Sequence, residues 1–181
     1  MTEKTRKRRG RTVRWLRETI IFALFGSMMF ALRVVMAAFP NIHPLGMLIM
    51  TFTVVYRWRA LIPLYIYVTL EGIFFGGVWW FPYLYIWTIL WGITMLLPRK
   101  MKPSVAAVVY PAVCGFYGLI FGILYAPAEA VIYGMDFEQM LAWIALGTGF
   151  DILHAVGNTA MGLLVLPLSA VLLKLEKSTR K

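Results

Sequence analysis

Three polar residues, Asp151, His154 and Asn158, interrupt an apolar stretch between Gly149 and Gly162. On a helix at about 100° per residue they fall within roughly a 60° arc. Polar groups are costly in hydrocarbon, so we expect this stripe to face a cavity or a protein neighbour rather than lipid. Two roles fit it: one wall of a binding site, or hydrogen bonds that tie the helix to its neighbours.

Arg33 and Glu71 form a second candidate pair. Arg33 is the one basic residue within an apolar stretch, and Glu71 lies near the middle of another. A lone carboxylate in such surroundings is protonated or paired. We expect the two residues to form an intramembrane pair, either a structural one or one that holds a ligand.

The composition is that of an integral membrane protein. Of the 181 residues 61% are hydrophobic and only 14% are charged, and a soluble domain of this size cannot bury that much apolar surface. The single Cys114 excludes an internal disulfide, and His43 and His154 make no metal motif, so we expect no metal and no cofactor. An enzyme that uses Asp151 and His154 as an acid–base pair is disfavoured, because no nucleophile accompanies them.

Hydropathy predicts an all-α fold with six transmembrane helices. The predicted spans are 19–39, 45–56, 60–78, 83–97, 104–125 and 141–173. The two prolines of 40–44 predict a loop before the second span, and 126–140 is predicted to be a lid or a short surface helix. The last span is too long for one perpendicular crossing, so it starts outside the bilayer or tilts, with Pro167 as a possible bend.

Glycines and charges refine this arrangement. Gly115, Gly118 and Gly122 give the fifth span a close-packing face. Of 18 Lys and Arg residues, all but Arg33 lie in the N-terminal tail, the 57–59 turn, the 98–103 loop or the C-terminal tail. Six spans with both termini cytoplasmic keep all of these segments on one side. The chain then divides into a basic tail (1–18), a membrane domain (19–173) and a second basic tail (174–181).

The basic cytoplasmic segments therefore account for the net charge of +10, and we expect no nucleic-acid partner. The basic run at 6–9 stops at a membrane span and has no fold around it. Such a tail is most simply a cytoplasmic segment that lies against anionic lipid headgroups.

Ala23, Ser27 and Ala31 recur every four residues on the first span, a pattern that lets another helix approach closely. In this stripe, in its six-span topology and in the last-span motif FDILHAVGNTAMG, the chain resembles the S-components of energy-coupling factor (ECF) transporters. Many of these membrane subunits carry an aspartate-x-x-histidine-x-x-x-asparagine pattern. Their first span carries an alanine ladder, in which this chain has serine at the middle position.

The resemblance implies a function and partners. S-components reside in prokaryotic plasma membranes and bind a vitamin or a related micronutrient near the outer face. They deliver it with a transmembrane coupling subunit and two ATPase subunits, and the first-span ladder docks the coupling subunit. On this chain, His154 and Asn158 would line the pocket, Asp151 would lie near its mouth, and the segment from Asn41 to Leu45, with His43, would help to close it.

A mostly apolar pocket with a few placed polar groups suits a small heteroaromatic ligand. We expect Trp80, Tyr83 or Tyr117 to stack on its ring, while His154, Asn158 and Glu71 supply hydrogen bonds. Vitamins, their precursors and modified bases all fit such a pocket. The alternative is a self-sufficient small permease, which needs a polar route through the inner half of the membrane. The almost wholly apolar segment 163–173 disfavours that alternative.

Overall fold

The computed structural model describes residues 3–39 and 42–178, and within these ranges the chain forms helices and no β-strand. The α-helices are α1 (Glu3–Val35), α2 (Leu45–Tyr56), α3 (Leu61–Phe75), α4 (Tyr83–Leu96), α5 (Pro103–Leu119), α6 (Phe121–Tyr133), α7 (Phe137–Gly162) and α8 (Val165–Ser178). The predicted all-α class is confirmed. Asn41 lies outside the described residues.

Four helical stretches are long and apolar enough to cross a membrane. They are Trp15–Ala38, Leu45–Phe75, Pro103–Tyr133 and Phe137–Gly162, and α4 is a shorter apolar helix. Long helices of this composition are typical of a multi-pass membrane protein. Six crossings and cytoplasmic termini remain predictions.

The predicted boundaries hold best for α2 and α4. The predicted fifth span instead contains a break at Ile120, and helix continues through Tyr133, so the predicted long 126–140 connection is wrong. Asp136 ends the short turn that remains, because its carboxylate and the Gln139 side chain form a capping box at the start of α7. The bend in the predicted last span falls at 163–164, and Pro167 lies in the first turn of α8, where a missing N–H costs nothing.

Side-chain contacts give the directions of the helices. Phe25 stacks on Phe52, with ring centroids 4.4 Å apart, and Phe22 meets Tyr56, so α1 and α2 are antiparallel. Glu18 of α1 pairs with Arg59, just before α3, and Arg33 pairs with Glu71, later in both helices, so α1 and α3 run in parallel.

Later helices continue this alternation. Tyr65 of α3 forms a hydrogen bond with Thr88 of α4. Nearer the 76–82 turn that joins the two helices, Trp80 packs against Gly72, so α3 and α4 are antiparallel. Helices α5 and α6 together run antiparallel to α7, from the contact at Gly115 to the stacked rings of Tyr125 and Trp143.

Arg57, Arg59 and Lys177 lie at one end of this bundle, which we call the basic end. There Arg57 donates a 2.6 Å hydrogen bond to the carbonyl of Met95, and Arg59 and Lys177 line a common groove. The opposite end, formed by Met36–Phe39 and residues 76–82 and 134–136, is called the distal end. The first turns of the apolar part of α1 and the last turns of α8 thus lie together at the basic end.

Candidate ligand-binding site

Glycines allow α7 to lie directly against α5. A Cβ atom at Gly118 would lie 2.8 Å from the carbonyl oxygen of His154, and one at Gly115 would overlap the Thr159 side chain. Only glycine tolerates such an approach, so the predicted close-packing face on this helix is confirmed. The contact fixes the polar stripe of α7 relative to α5 and α6.

Asp151, the first residue of that stripe, is bonded within the protein. Its Oδ1 accepts a 3.0 Å hydrogen bond from the backbone N–H of Gly122, near the start of α6. The break at Ile120 leaves this N–H without a helical acceptor, and a carboxylate at a helix N-terminus also meets a favourable dipole. Asp151 therefore ties α7 to α6 and is absent from the lining of the cavity described next.

A cavity of about 200 Å³ opens at the distal end. It has the volume of about seven water molecules at the share that each takes in the liquid. The end of α1, the following loop, α4, α6 and α7 all contribute to it. The residues that line it are Arg33, Met36, Ala37, Phe39, His43, Tyr83, Phe121 and His154.

Two histidines meet in this lining. The ring centroids of His43 and His154 are 5.1 Å apart, with the planes at 76°. His154 also contacts Phe121, and His43 contacts Trp87. Burial, and to a lesser extent the nearby His154 and Arg33, lowers the pKa of His43 to about 3. His43 is therefore a neutral imidazole at physiological pH, in which one ring nitrogen donates a hydrogen bond and the other accepts one.

Arg33 and Glu71 form the predicted pair. Arg33 Nε lies 3.8 Å from Glu71 Oε1, and the side chains are 25% and 0% exposed, respectively. Arg33 lines the cavity, whereas Glu71 lies behind it, beside Tyr67. The carboxylate thus neutralises the guanidinium from the side remote from the cavity.

Many buried polar atoms around the cavity have no hydrogen-bond partner of normal geometry among the described residues. Three such atoms, Nδ1 of His43 and both ring nitrogens of His154, belong to lining residues, and six more belong to side chains behind the lining, those of Tyr67, Glu71, Trp87 and Asn158. More than 90% of buried polar groups in native proteins are hydrogen-bonded. A concentration of unpaired atoms beside one cavity is the pattern expected of a site that binds a polar ligand or ordered water.

The other predicted pocket residues lie at different depths. Asn158 lies one helical turn from His154, buried near Gly46 and Cys114 and outside the cavity lining. The hydroxyl of Tyr117 donates a 2.6 Å hydrogen bond to the carbonyl of Ile86, behind the cavity wall. The indole N–H of Trp80 donates to the carbonyl of Gly77, so this ring belongs to the distal turn. Of the three aromatic candidates for stacking, only Tyr83 lines the cavity.

Sequence reasoning missed several lining residues. Met36, Ala37 and Phe39 follow α1, and Phe121 begins α6. These residues are apolar in an apolar protein, so nothing in their type marks them. The one usable signal for Phe121 is its position four residues after Tyr117, on the same face of the predicted fifth span.

The small residues of α1 lie on its outer surface. Ala23, Ser27 and Ala31 are all exposed, whereas Gly26 between them packs against Ile66 and Pro63 of α3. The stripe therefore faces away from the bundle, and its small side chains allow another helix to approach closely.

In the part of the chain that the structure describes, no group of three or more His, Cys, Asp or Glu side chains could hold a metal ion. Comparison of the chain with protein-family models, curated proteins and solved structures found no match. Fold and site together define an all-helical, multi-pass membrane protein with a small, polar, aromatic-walled cavity at one end.

Proposed function

We propose that the chain is the substrate-binding subunit of an ECF-type importer, and that it binds a small vitamin-like molecule in the distal cavity. The observation that carries the proposal is the set of three unpaired ring nitrogens, on His43 and His154, in the lining of that cavity. Leaving a buried polar group unpaired costs about 1–3 kcal/mol, so a ligand that pairs even some of these atoms gains considerable affinity.

The charge distribution supports the orientation. Basic segments of membrane proteins remain in the cytoplasm, so we place the basic end inside and the distal end outside. Helices that alternate in direction and begin and end at the basic end are consistent with six crossings. The cavity then opens toward the outer face, where an importer first meets its substrate.

The exposed stripe on α1 supports the choice of a partner-dependent importer. Ala23, Ser27 and Ala31 form a stripe of small, exposed side chains. Small residues at four-residue spacing allow close backbone approach between membrane helices. We propose that the transmembrane coupling subunit docks here and links the chain to two ATPases.

A pull-down experiment tests the proposal. The tagged protein is purified from native membranes in mild detergent, and mass spectrometry identifies the retained proteins and small molecules. We expect a membrane coupling subunit, two ATPases and one small molecule. Ala23→Trp and Ala31→Trp should remove the three proteins, whereas Val108→Trp, at a 69% exposed position on α5, should retain them.

Two outcomes would contradict this function. Retention of the partners by both α1 variants would show that the stripe is not the docking surface. A protein that is purified without partners, yet transports solute when reconstituted alone into vesicles, would be the self-sufficient permease.

A further inference from the structure

The charges at the cavity are balanced before any ligand arrives. Among the described lining residues, Arg33 is the one permanent cation, and Glu71 lies 3.8 Å from it. His43 is neutral, as shown above. His154 is 1% exposed and packs between the rings of His43 and Phe121, and burial of this degree disfavours a charge on it. The ion pair therefore leaves the cavity with no net charge.

Glu71 cannot act on a ligand directly. Its side chain is fully buried and does not line the cavity, whereas the Arg33 side chain is one-quarter exposed and does. Arg33 thus stands between the carboxylate and any bound molecule. Whatever Glu71 contributes to binding, it contributes by setting the charge of the arginine site.

We infer that the cavity selects uncharged planar ligands over anions and cations of the same shape, and that Glu71 sets this selectivity through Arg33. The inference rests on the proposed function only in treating the cavity as a binding site. An anion would leave one negative charge uncompensated in an enclosed site, and a cation would face Arg33. An uncharged ligand needs no counter-charge, and its acceptor atoms can still take hydrogen bonds from Arg33.

The walls and the volume define the rest of the ligand class. The rings of His43, Tyr83, Phe121 and His154 offer flat surfaces, and about 200 Å³ admits a single small ring system with a short polar substituent. A ring that carries a carboxamide or a lactam group fits this description, because it presents both a donor and an acceptor without a charge.

Benzamide, benzoate and benzamidinium test the inference, since they share one shape and differ in charge. Binding to the purified full-length protein in detergent is measured by ligand-observed NMR titration. For the wild type we expect benzamide to bind at least about tenfold more tightly than benzoate, and benzamidinium not to bind detectably. Ala37→Trp, which fills the cavity from its lining, should abolish all binding.

The informative variant is Glu71→Gln, which keeps the size of the side chain and removes its charge. Arg33 is then left without a counter-ion, so benzoate should become the preferred probe by about tenfold. A Glu71→Asp variant should keep the preference for benzamide. The double variant Arg33→Gln, Glu71→Gln should restore the preference for benzamide, because it removes both charges. Because the double variant leaves no buried charge uncompensated, it can still be measured if the single variant Glu71→Gln does not fold.

Tighter binding of benzoate than of benzamide to the wild type would overturn the inference. So would an unchanged order of affinities in a folded Glu71→Gln protein, or a double variant that prefers benzoate. If no probe binds, or if Ala37→Trp does not block binding, the inference about the ligand class is overturned, whereas the proposed function is decided by the pull-down. If the wild-type protein retains no coupling partners in the pull-down but shows the expected charge selectivity, the proposed importer function is overturned and the inference stands.

Discussion

The carboxylate of Asp151 accepts a 3.0 Å hydrogen bond from the backbone N–H of Gly122, and this bond joins α7 to the start of α6. The polar stripe of α7 thus has two parts. Asp151 holds helices together, whereas His154 and Asn158, one and two turns further on, keep polar atoms without partners beside the cavity. Both roles that the stripe could have are present in one helix, at different positions.

Asp151→Ala should therefore destabilise the protein without removing the ligand site. The Gly122 N–H would lose its acceptor in a buried position, a loss of about 1–3 kcal/mol. Thermal unfolding in detergent, followed by tryptophan fluorescence, measures the effect. Asp151→Asn, which retains an acceptor oxygen, should lose less. A fully stable Asp151→Ala protein that no longer retains a co-purified small molecule would place Asp151 in the site instead.

Asn158→Ala should weaken ligand binding about tenfold or more. The unpaired amide lies one helical turn behind His154, and a ligand group or an ordered water that reaches it from the cavity would lose its partner. The amide is buried, and both its nitrogen and its oxygen lack partners within the described chain. The amount of small molecule retained per protein, quantified by mass spectrometry, measures the effect. Thr148→Ala on the exposed face of the same helix is the matched control. Unchanged retention in Asn158→Ala would exclude Asn158 from the site.

Local sequence signals predicted what depends on local structure. The apolar run and the flanking prolines placed α2 at its observed bounds, and the glycines of α5 predicted its contact with α7. The breaks at Ile120 and at 163–164 escaped prediction because apolar residues continue through both. Next to the first break, the N–H of Gly122 is bonded by Asp151, which lies 29 residues away in the sequence and beyond the reach of any periodic pattern.

The site could be predicted only where polarity marked it. Arg33, Glu71 and His154 are conspicuous because charged and polar residues are rare within apolar spans. Their neighbours Met36, Ala37 and Phe121 carry no such mark, and packing of distant segments alone brings them to the cavity. Residue type alone predicted that Trp80 and Tyr117 stack on a ligand. The Trp80 N–H is instead bonded to the carbonyl of Gly77 and the Tyr117 hydroxyl to that of Ile86, and neither residue lines the cavity.

Gly118→Ala should destabilise the protein by about 1–3 kcal/mol, as overpacking of a tight contact does. The added Cβ would lie 2.8 Å from a backbone carbonyl oxygen of α7, which cannot move without shifting the helix. Gly147→Ala is the matched control, because a Cβ there has no atom within 4 Å. Gly147→Ala should leave the stability unchanged, or raise it by about 0.5–1 kcal/mol because alanine lowers the backbone entropy of the unfolded chain. Equal thermal stabilities of the two variants would contradict the close approach of α5 and α7.

Single-cysteine labelling should distinguish the two ends of the bundle. The native Cys114 is fully buried, so a membrane-impermeant maleimide should not react with the wild type. Lys100 and Glu138 are exposed near opposite ends of the α5–α6 leg. If the basic end is cytoplasmic, Glu138→Cys should react in intact cells, and Lys100→Cys only after the membrane is permeabilised.

The two cysteines also test the crossing between them. The α5–α6 leg, Pro103–Tyr133, is long enough to span the hydrocarbon core despite its break. Reaction of both variants in intact cells would mean that this leg does not cross the membrane. Reaction of Lys100→Cys alone would reverse the orientation and place the distal cavity on the cytoplasmic side. An importer subunit that captures its substrate outside requires the first pattern, so this labelling decides whether the cavity faces the compartment from which a solute would be taken up.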